Sequence, residues 1–197
     1  MFIQSEETPN PDTLKFLPGV SVLEGGTSID FTNADEADAS SPLASRLFTI
    51  EGVEAVFFGH DFISVSKDEE MEWYQMKPAI LGIIMEHFTA GLPVMSDGAT
   101  DKGEASDAPN IDDNYSDDEK QIITQILDLL ETRVRPAVAQ DGGDIVFHAF
   151  DKGIVYLSMR GACAGCPSST ATLKMGIENL LRHYIPEVIE VRPYQTY

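Results

Sequence analysis

Two cysteines, Cys163 and Cys166, are the only thiols among 197 residues, and they stand in a C-x-x-C arrangement within Gly161-Ala162-Cys163-Ala164-Gly165-Cys166-Pro167. Small residues at 164 and 165 let the backbone curl, so both sulfurs can face one ion. Pro167 can open a helix because it has no N–H to lose there, and the free amides and positive end of that helix favour thiolate over thiol. Three chemistries fit such a pair: ligation of zinc or an iron–sulfur cluster, thiol–disulfide exchange, and the inert role of plain buried cysteines.

Ligand counting narrows the metal reading. Iron–sulfur clusters commonly take four protein thiolates and structural zinc also prefers four ligands. One chain brings two thiols. Either a second copy adds its own pair across a two-fold axis, or other side chains such as His148 and His183 complete the set. A cluster held between two copies sits at an exposed interface, which suits a carrier that must give it away. The histidines themselves read as surface or packing groups: His60 in a hairpin turn, His87 and His183 on helices, His148 in mid-strand. Arg160 and Lys174 lie close enough in sequence to temper the charge of a thiolate-bound cluster, but read first as solvated side chains. Asp141 and Asp144, in Asp-Gly-Gly-Asp, read as a turn with local backbone bonding rather than an acid–base pair.

The elements that must position the thiols follow from pattern. Ser116 and Glu119 have capping-box spacing, and Ile122, Ile123, Ile126, Leu127, Leu130 and Val134 share one helical face, with Pro136 expected to end the helix nearby. Ile145 to Phe150 and Ile154 to Met159 bracket Asp151-Lys152-Gly153 as a hairpin. The C-x-x-C loop comes next, then a helix from Pro167 or Ser168 burying Leu173, Ile177, Leu180, Leu181 and Tyr184, and a last strand over 188–191. The order is α-β-β-α-β.

Upstream, short β-like runs at 2–4, 13–17 and 29–31 are separated by Thr8-Pro9-Asn10-Pro11 and Pro18-Gly19 and point to a small sheet. Pro42 fits the first turn of a short helix through Leu43, Leu47 and Phe48. A hairpin is expected from 53–58 and 62–66 around Gly59-His60-Asp61. A longer helix carries Trp73, Met76, Ile80, Ile84 and Phe88, a stripe read as core, and Pro78 either starts a shorter helix or kinks this one. Between 96 and 115 the sequence is acidic and polar, with Gly98, Gly103, Ser106, Pro109 and Asn110 and almost no large apolar residue, as in a flexible, self-repelling linker. The expectation is an α+β fold: two small mixed domains, 1–95 and 116–197, joined by the linker 96–115.

The chain carries 33 acidic against 13 basic residues, a net charge of -20, which would repel nucleic acid and anionic membranes. No run reaches the roughly 20 apolar residues of a membrane span. The start resembles neither a secretory signal nor an Arg-rich transit peptide, so a bacterial cytosolic protein or an already processed organelle protein is expected. That compartment is reducing, where thiols stay available for metal or redox work.

Two further stretches complete the reading. Arg135-Pro136-Ala137-Val138-Ala139-Gln140-Asp141-Gly142-Gly143-Asp144 and Met159 to Ser169 resemble the signature of the NifU-like C-terminal domain. Glu7-Thr8-Pro9-Asn10-Pro11-Asp12-Thr13-Leu14-Lys15-Phe16 with Pro18-Gly19 resembles the Nfu N-terminal domain. The resemblance implies a non-enzymatic scaffold or carrier that receives an iron–sulfur cluster, typically [4Fe-4S], from upstream assembly proteins and passes it to apo-enzymes such as aconitase-like or lipoate-synthase-like clients. It also implies a cytoplasmic or mitochondrial-matrix location and Cys163 and Cys166 as ligands of a cluster bound by a homodimer. The N-terminal domain would serve client or partner recognition. Gly142 and Gly143 would permit a tight turn rather than touch the cluster. Two thiolate pairs can equally hold [2Fe-2S] or zinc, so a zinc-stapled dimer stays open. A thiol–disulfide oxidoreductase fits less well, since the motif follows a hairpin rather than the strand of a βαβ unit.

Overall fold

Alternation of side chains along residues 13–17 and 63–67 sets the first sheet. Strands β1 (Gln4–Glu7), β2 (Thr13–Leu17), β3 (Ile29–Phe31), β4 (Val53–Phe58) and β5 (Ile63–Lys67) pair antiparallel in the order β1-β2-β5-β4-β3. Register aligns Leu14 with Val65 and Val56, and Phe16 with Ile63 and Phe58. Every second residue points to one face, so these rows make an apolar surface. In this computed structural model, which describes residues 2–24, 28–96, 115–164 and 167–194 with side chains of the last segment from 171 onward, the linker residues 97–114 lie outside the described residues.

Helices α1 (Ala34–Ser40), α2 (Pro42–Phe48) and α3 (Trp73–Thr89) accompany this sheet, and Leu43, Leu47, Met76, Ile80 and Ile84 bury against its apolar rows. Ser41 joins the first two helices: its hydroxyl accepts from the Ala44 amide at 3.1 Å and donates to the Val94 carbonyl at 2.5 Å. Pro78 neither starts nor ends α3, which begins at Trp73 and runs through it. The helical donor that proline removes would have served the first turn, where Tyr74 is exposed and water can substitute.

The second body begins as read. Ser116 and Glu119 form a reciprocal capping box on helix α4 (Asp117–Leu129). Beyond it the expected stop at Pro136 is overturned. A π-helical stretch, Leu130–Val134, leads into α5 (Arg135–Gln140), with the Arg135 amide bonded to the Leu130 carbonyl. The wider π turn takes up an extra residue ahead of Pro136, which then sits in the first turn of α5. Strands β6 (Gly143–Asp151) and β7 (Ile154–Gly161) form the hairpin, helix α6 (Pro167–Tyr184) follows, and β8 (Glu190–Pro193) pairs parallel to β7 in the order β6-β7-β8. The last strand thus lies two residues later than 188–191, because the ladder opens at Ile154 opposite Glu190. A bulge between Phe147 and Ala149 resets the alternation, so Phe147 and Phe150 both enter the core with Val155, Leu157, Ile177 and Leu181. The α-β-β-α-β order and the mixed α+β class are those of the sequence reading. Among the described residues, no helix is long and apolar enough to cross a membrane.

Candidate functional site

Cys163 sits in the turn that leaves β7. Gly161 ends the strand with φ +64°, the Ala162 amide donates to the Gly142 carbonyl at 3.2 Å, and the Ala164 amide returns to Gly161 at 3.0 Å. Gly142, with φ +79°, makes the tight turn expected of it. Gly143 does something the sequence did not disclose: a Cβ there would stand 2.8 Å from Cys163 Sγ and 2.6 Å from the Arg160 carbonyl. The reading of this glycine as a turn residue is corrected, since its bare backbone is the floor under the thiol. Cys166 lies outside the described residues.

The expectation that the helix start favours a thiolate is also corrected for Cys163. The thiol is buried against the core of the second body and its pKa is pushed up to about 11, first by burial and then by the nearby charges of Asp141 and Asp144. Here the sulfur is a thiol, screened from the helix end by three intervening residues and set among carboxylates.

Asp144 is no free acid–base partner. Its carboxylate accepts from Arg135 Nε at 2.9 Å and Nη2 at 2.7 Å, from the Ile145 amide at 2.8 Å and from Ser28 Oγ at 2.5 Å. This bidentate pair is buried on the aspartate side, and Glu131 engages the other face of Arg135 at 2.8 Å. The Asp144 hydrogen bonds raise the Arg135 pKa, so the guanidinium stays charged. The turn reading therefore holds for Asp141 and Gly142, while Asp144 anchors α5 to the start of β6.

Other predicted residues scatter. His148 hydrogen-bonds Ser158 Oγ at 2.7 Å and stacks on Tyr194 at 4.1 Å between ring centroids, and His183 meets the Tyr184 ring edge-on. His60 Nδ1 lies 2.8 Å from the Leu23 carbonyl, and His87 is fully buried in the first body. Lys174 and Arg192 line a cavity of about 260 Å³ that reaches Ala164 of the cysteine loop. Among the described residues, no three His, Cys, Asp or Glu side chains converge as a metal site.

Comparison with known proteins bears on both bodies. A family model described as scaffold protein Nfu/NifU N terminal matches residues 3–91, and one described as NifU-like domain matches residues 126–192. The chain belongs to the NifU-like (Nfu) family. It is 49% identical over 191 residues to the NFU1 iron-sulfur cluster scaffold homolog, mitochondrial, of Drosophila persimilis, a match covering 97% of this chain and 64% of that protein. The corresponding protein of Drosophila erecta is 50% identical with the same coverage. This Nfu chain therefore spans a little under two thirds of the length of these relatives. The solution structure of a NifU-like protein from Saccharomyces cerevisiae is 34% identical, covering 49% of this chain and 85% of that one with a TM-score of 0.44.

Proposed function

We propose that this Nfu chain is an iron–sulfur scaffold and carrier whose cargo is a [4Fe-4S] cluster, held between two protomers by Cys163 and Cys166 of each. Upstream assembly proteins supply the cluster and apo iron–sulfur proteins receive it. The observation that carries the reading is Cys163 on its glycine floor at the mouth of a C-x-x-C loop, in a chain of scaffold ancestry. The donor set fits the cargo: two soft sulfurs per chain leave a thiophilic ion half-ligated until a second pair arrives.

This chain's own residues shape the steps. Gly143 keeps the space against Sγ open, and the Arg135–Asp144 pair fixes the turn that Gly143 belongs to. Cargo binding must displace the thiol proton, so loading strengthens with pH. Release proceeds by exchange of these thiolates for a client's cysteines, which makes the chain a binding protein rather than a catalyst. The domain limits 1–95 and 116–197 with a joining segment 96–115 belong to this reading. So does a mitochondrial matrix location, in keeping with the mitochondrial names of the relatives.

Anaerobic reconstitution with iron and sulfide tests it. Four irons per dimer, a Mössbauer spectrum of a cubane cluster and transfer to an apo-aconitase-type client are expected. A colourless protein that stays monomeric would defeat the proposal, and firmly held zinc would replace it with a structural dimer.

A further inference from the structure

Strand register lines up Glu6, Lys15, Ser64, Phe57 and Asp30 directly opposite one another across all five strands of the first sheet. This row lies on the face opposite the apolar rows of Leu14 and Phe16. A polar outer face of an antiparallel sheet usually meets water. Here Lys15, Ser64 and Phe57 are buried instead.

What covers them is the base of the cysteine loop. Lys15 Nζ donates to the Gln140 carbonyl at 3.3 Å and Ser64 Oγ to the Gly142 carbonyl at 2.7 Å. Phe57 packs where a Gly161 side chain would be, 2.9 Å from the position of its Cβ. Asp30, whose pKa burial raises, faces Arg160 and takes a hydrogen bond from the Gly161 backbone. Beside it Ser28 donates to Asp144 at 2.5 Å and accepts from Arg160 Nη1 at 3.4 Å. Gly142 is pressed the same way, by Ser64 Oγ and the Thr8 methyl. Two of the three glycines that shape the loop therefore lack side chains on account of the other body.

We propose that this cross-strand row is a docking strip for the base of the cysteine loop, clamping the loop against the N-terminal body in the unloaded chain and releasing it when a second copy brings its thiols. The clamp rests on the carrier reading, but its contacts can be tested without any cluster. Each contact reaches a backbone carbonyl, a glycine or a charged pair at the loop base, so the strip recognises the shape of the turn rather than an extended apolar surface. Release needs no refolding, because the two bodies keep separate cores.

The test uses the full chain carrying Cys166→Ser, with alkylation of Cys163 by iodoacetamide followed by mass spectrometry. Removing two donors together, Ser28→Ala with Ser64→Ala, should raise the alkylation rate roughly tenfold at unchanged far-UV dichroism, as expected for losing two net-stabilising hydrogen bonds. Lys15→Met, which keeps the stem and loses the ammonium, should raise it by a smaller factor. Rates within twofold of the parent in both variants would overturn the clamp. A rise confined to variants that also lose their dichroism would overturn it too, since general unfolding would then account for exposure. Reconstitution of the wild-type chain separates the two claims: faster alkylation without iron uptake sinks the cargo and keeps the strip, and iron uptake with unchanged alkylation does the reverse.

Discussion

The two sheets solve the same burial problem by opposite means. The five-stranded sheet is antiparallel throughout, its apolar rows run unbroken from strand to strand, and α2 and α3 close over them. The three-stranded sheet carries a bulge, a parallel edge, a π-helical approach and a buried ion pair, and two left-handed glycines flank its thiol. Regularity stabilises the first body. Departures from regularity in the second gather around Cys163, as expected where placement of a reactive group outweighs local preference.

The sharpest way to break this contrast is to remove sulfur. Cys163→Ser or Cys166→Ser should abolish iron retention after reconstitution while the far-UV spectrum stays that of the parent; iron bound at the parent level would move the site elsewhere. Next comes the ion pair. Asp144→Ala strips Arg135 of two hydrogen bonds in a half-buried setting and should cost about 3 kcal/mol in urea melts, whereas Arg46→Ala, which loses only the exposed bond to Glu86, should cost less than about 1 kcal/mol. Equal costs would erase the distinction between the bodies.

Glycines give the same comparison with opposite signs. Gly143→Ala places a methyl against Cys163 Sγ and the Arg160 carbonyl and should destabilise by about 2 kcal/mol. Gly82→Ala on α3, where a Cβ meets nothing within 4 Å, should stabilise by about 0.5–1 kcal/mol. Thermal melts of both decide it.

Acid is expected to act most gently, and on the other body. Burial lowers the His87 pKa, with the Arg46 charge adding to it against hydrogen bonds to the Pro93 and Leu92 carbonyls. Among the described residues its Nδ1 meets no hydrogen-bond partner, so a second proton there would be unsatisfied. The folded chain then binds fewer protons than the unfolded one just below pH 6.5. This contribution is fully present above that pH and fades as pH falls through the window beneath it. Between pH 6.5 and 5.5 the loss is at most about 1.4 kcal/mol, and His87→Phe should remove that part of the wild-type decline. Parallel slopes for the two proteins would show that His87 does not titrate on unfolding.

Much of this was legible beforehand, for identifiable reasons. The hairpins at 53–67 and 143–161 announce themselves by alternation around polar turns, and Ser116 with Glu119 marks a helix start by side-chain chemistry alone. Helix α1 escaped because Ala-Asp-Glu-Ala-Asp-Ala-Ser offers only Ala37 to the core, and its one signal is the Asn33 cap. The run past Pro136 escaped because a π turn leaves no mark in apolar spacing. The thiols were evident as ligands from spacing, but the floor beneath Cys163 comes from a glycine 20 positions earlier, a pairing that only strand register creates. Lys15 and Ser64 read as solvent-facing positions of a sheet, and nothing in their own strands tells that another part of the chain lies over them.

A helix that holds one more residue than its hydrogen-bond ladder requires can also lose one. Trimming a residue from Leu130–Val134 would restore ordinary winding, yet it would rotate everything downstream by about 100°. The Arg135 fork would swing away from Asp144, and the first residues of β6 would lose their tether. In this stretch chain length works as an adjusting screw: an alteration harmless to helicity would misalign the ground on which the sulfur rests.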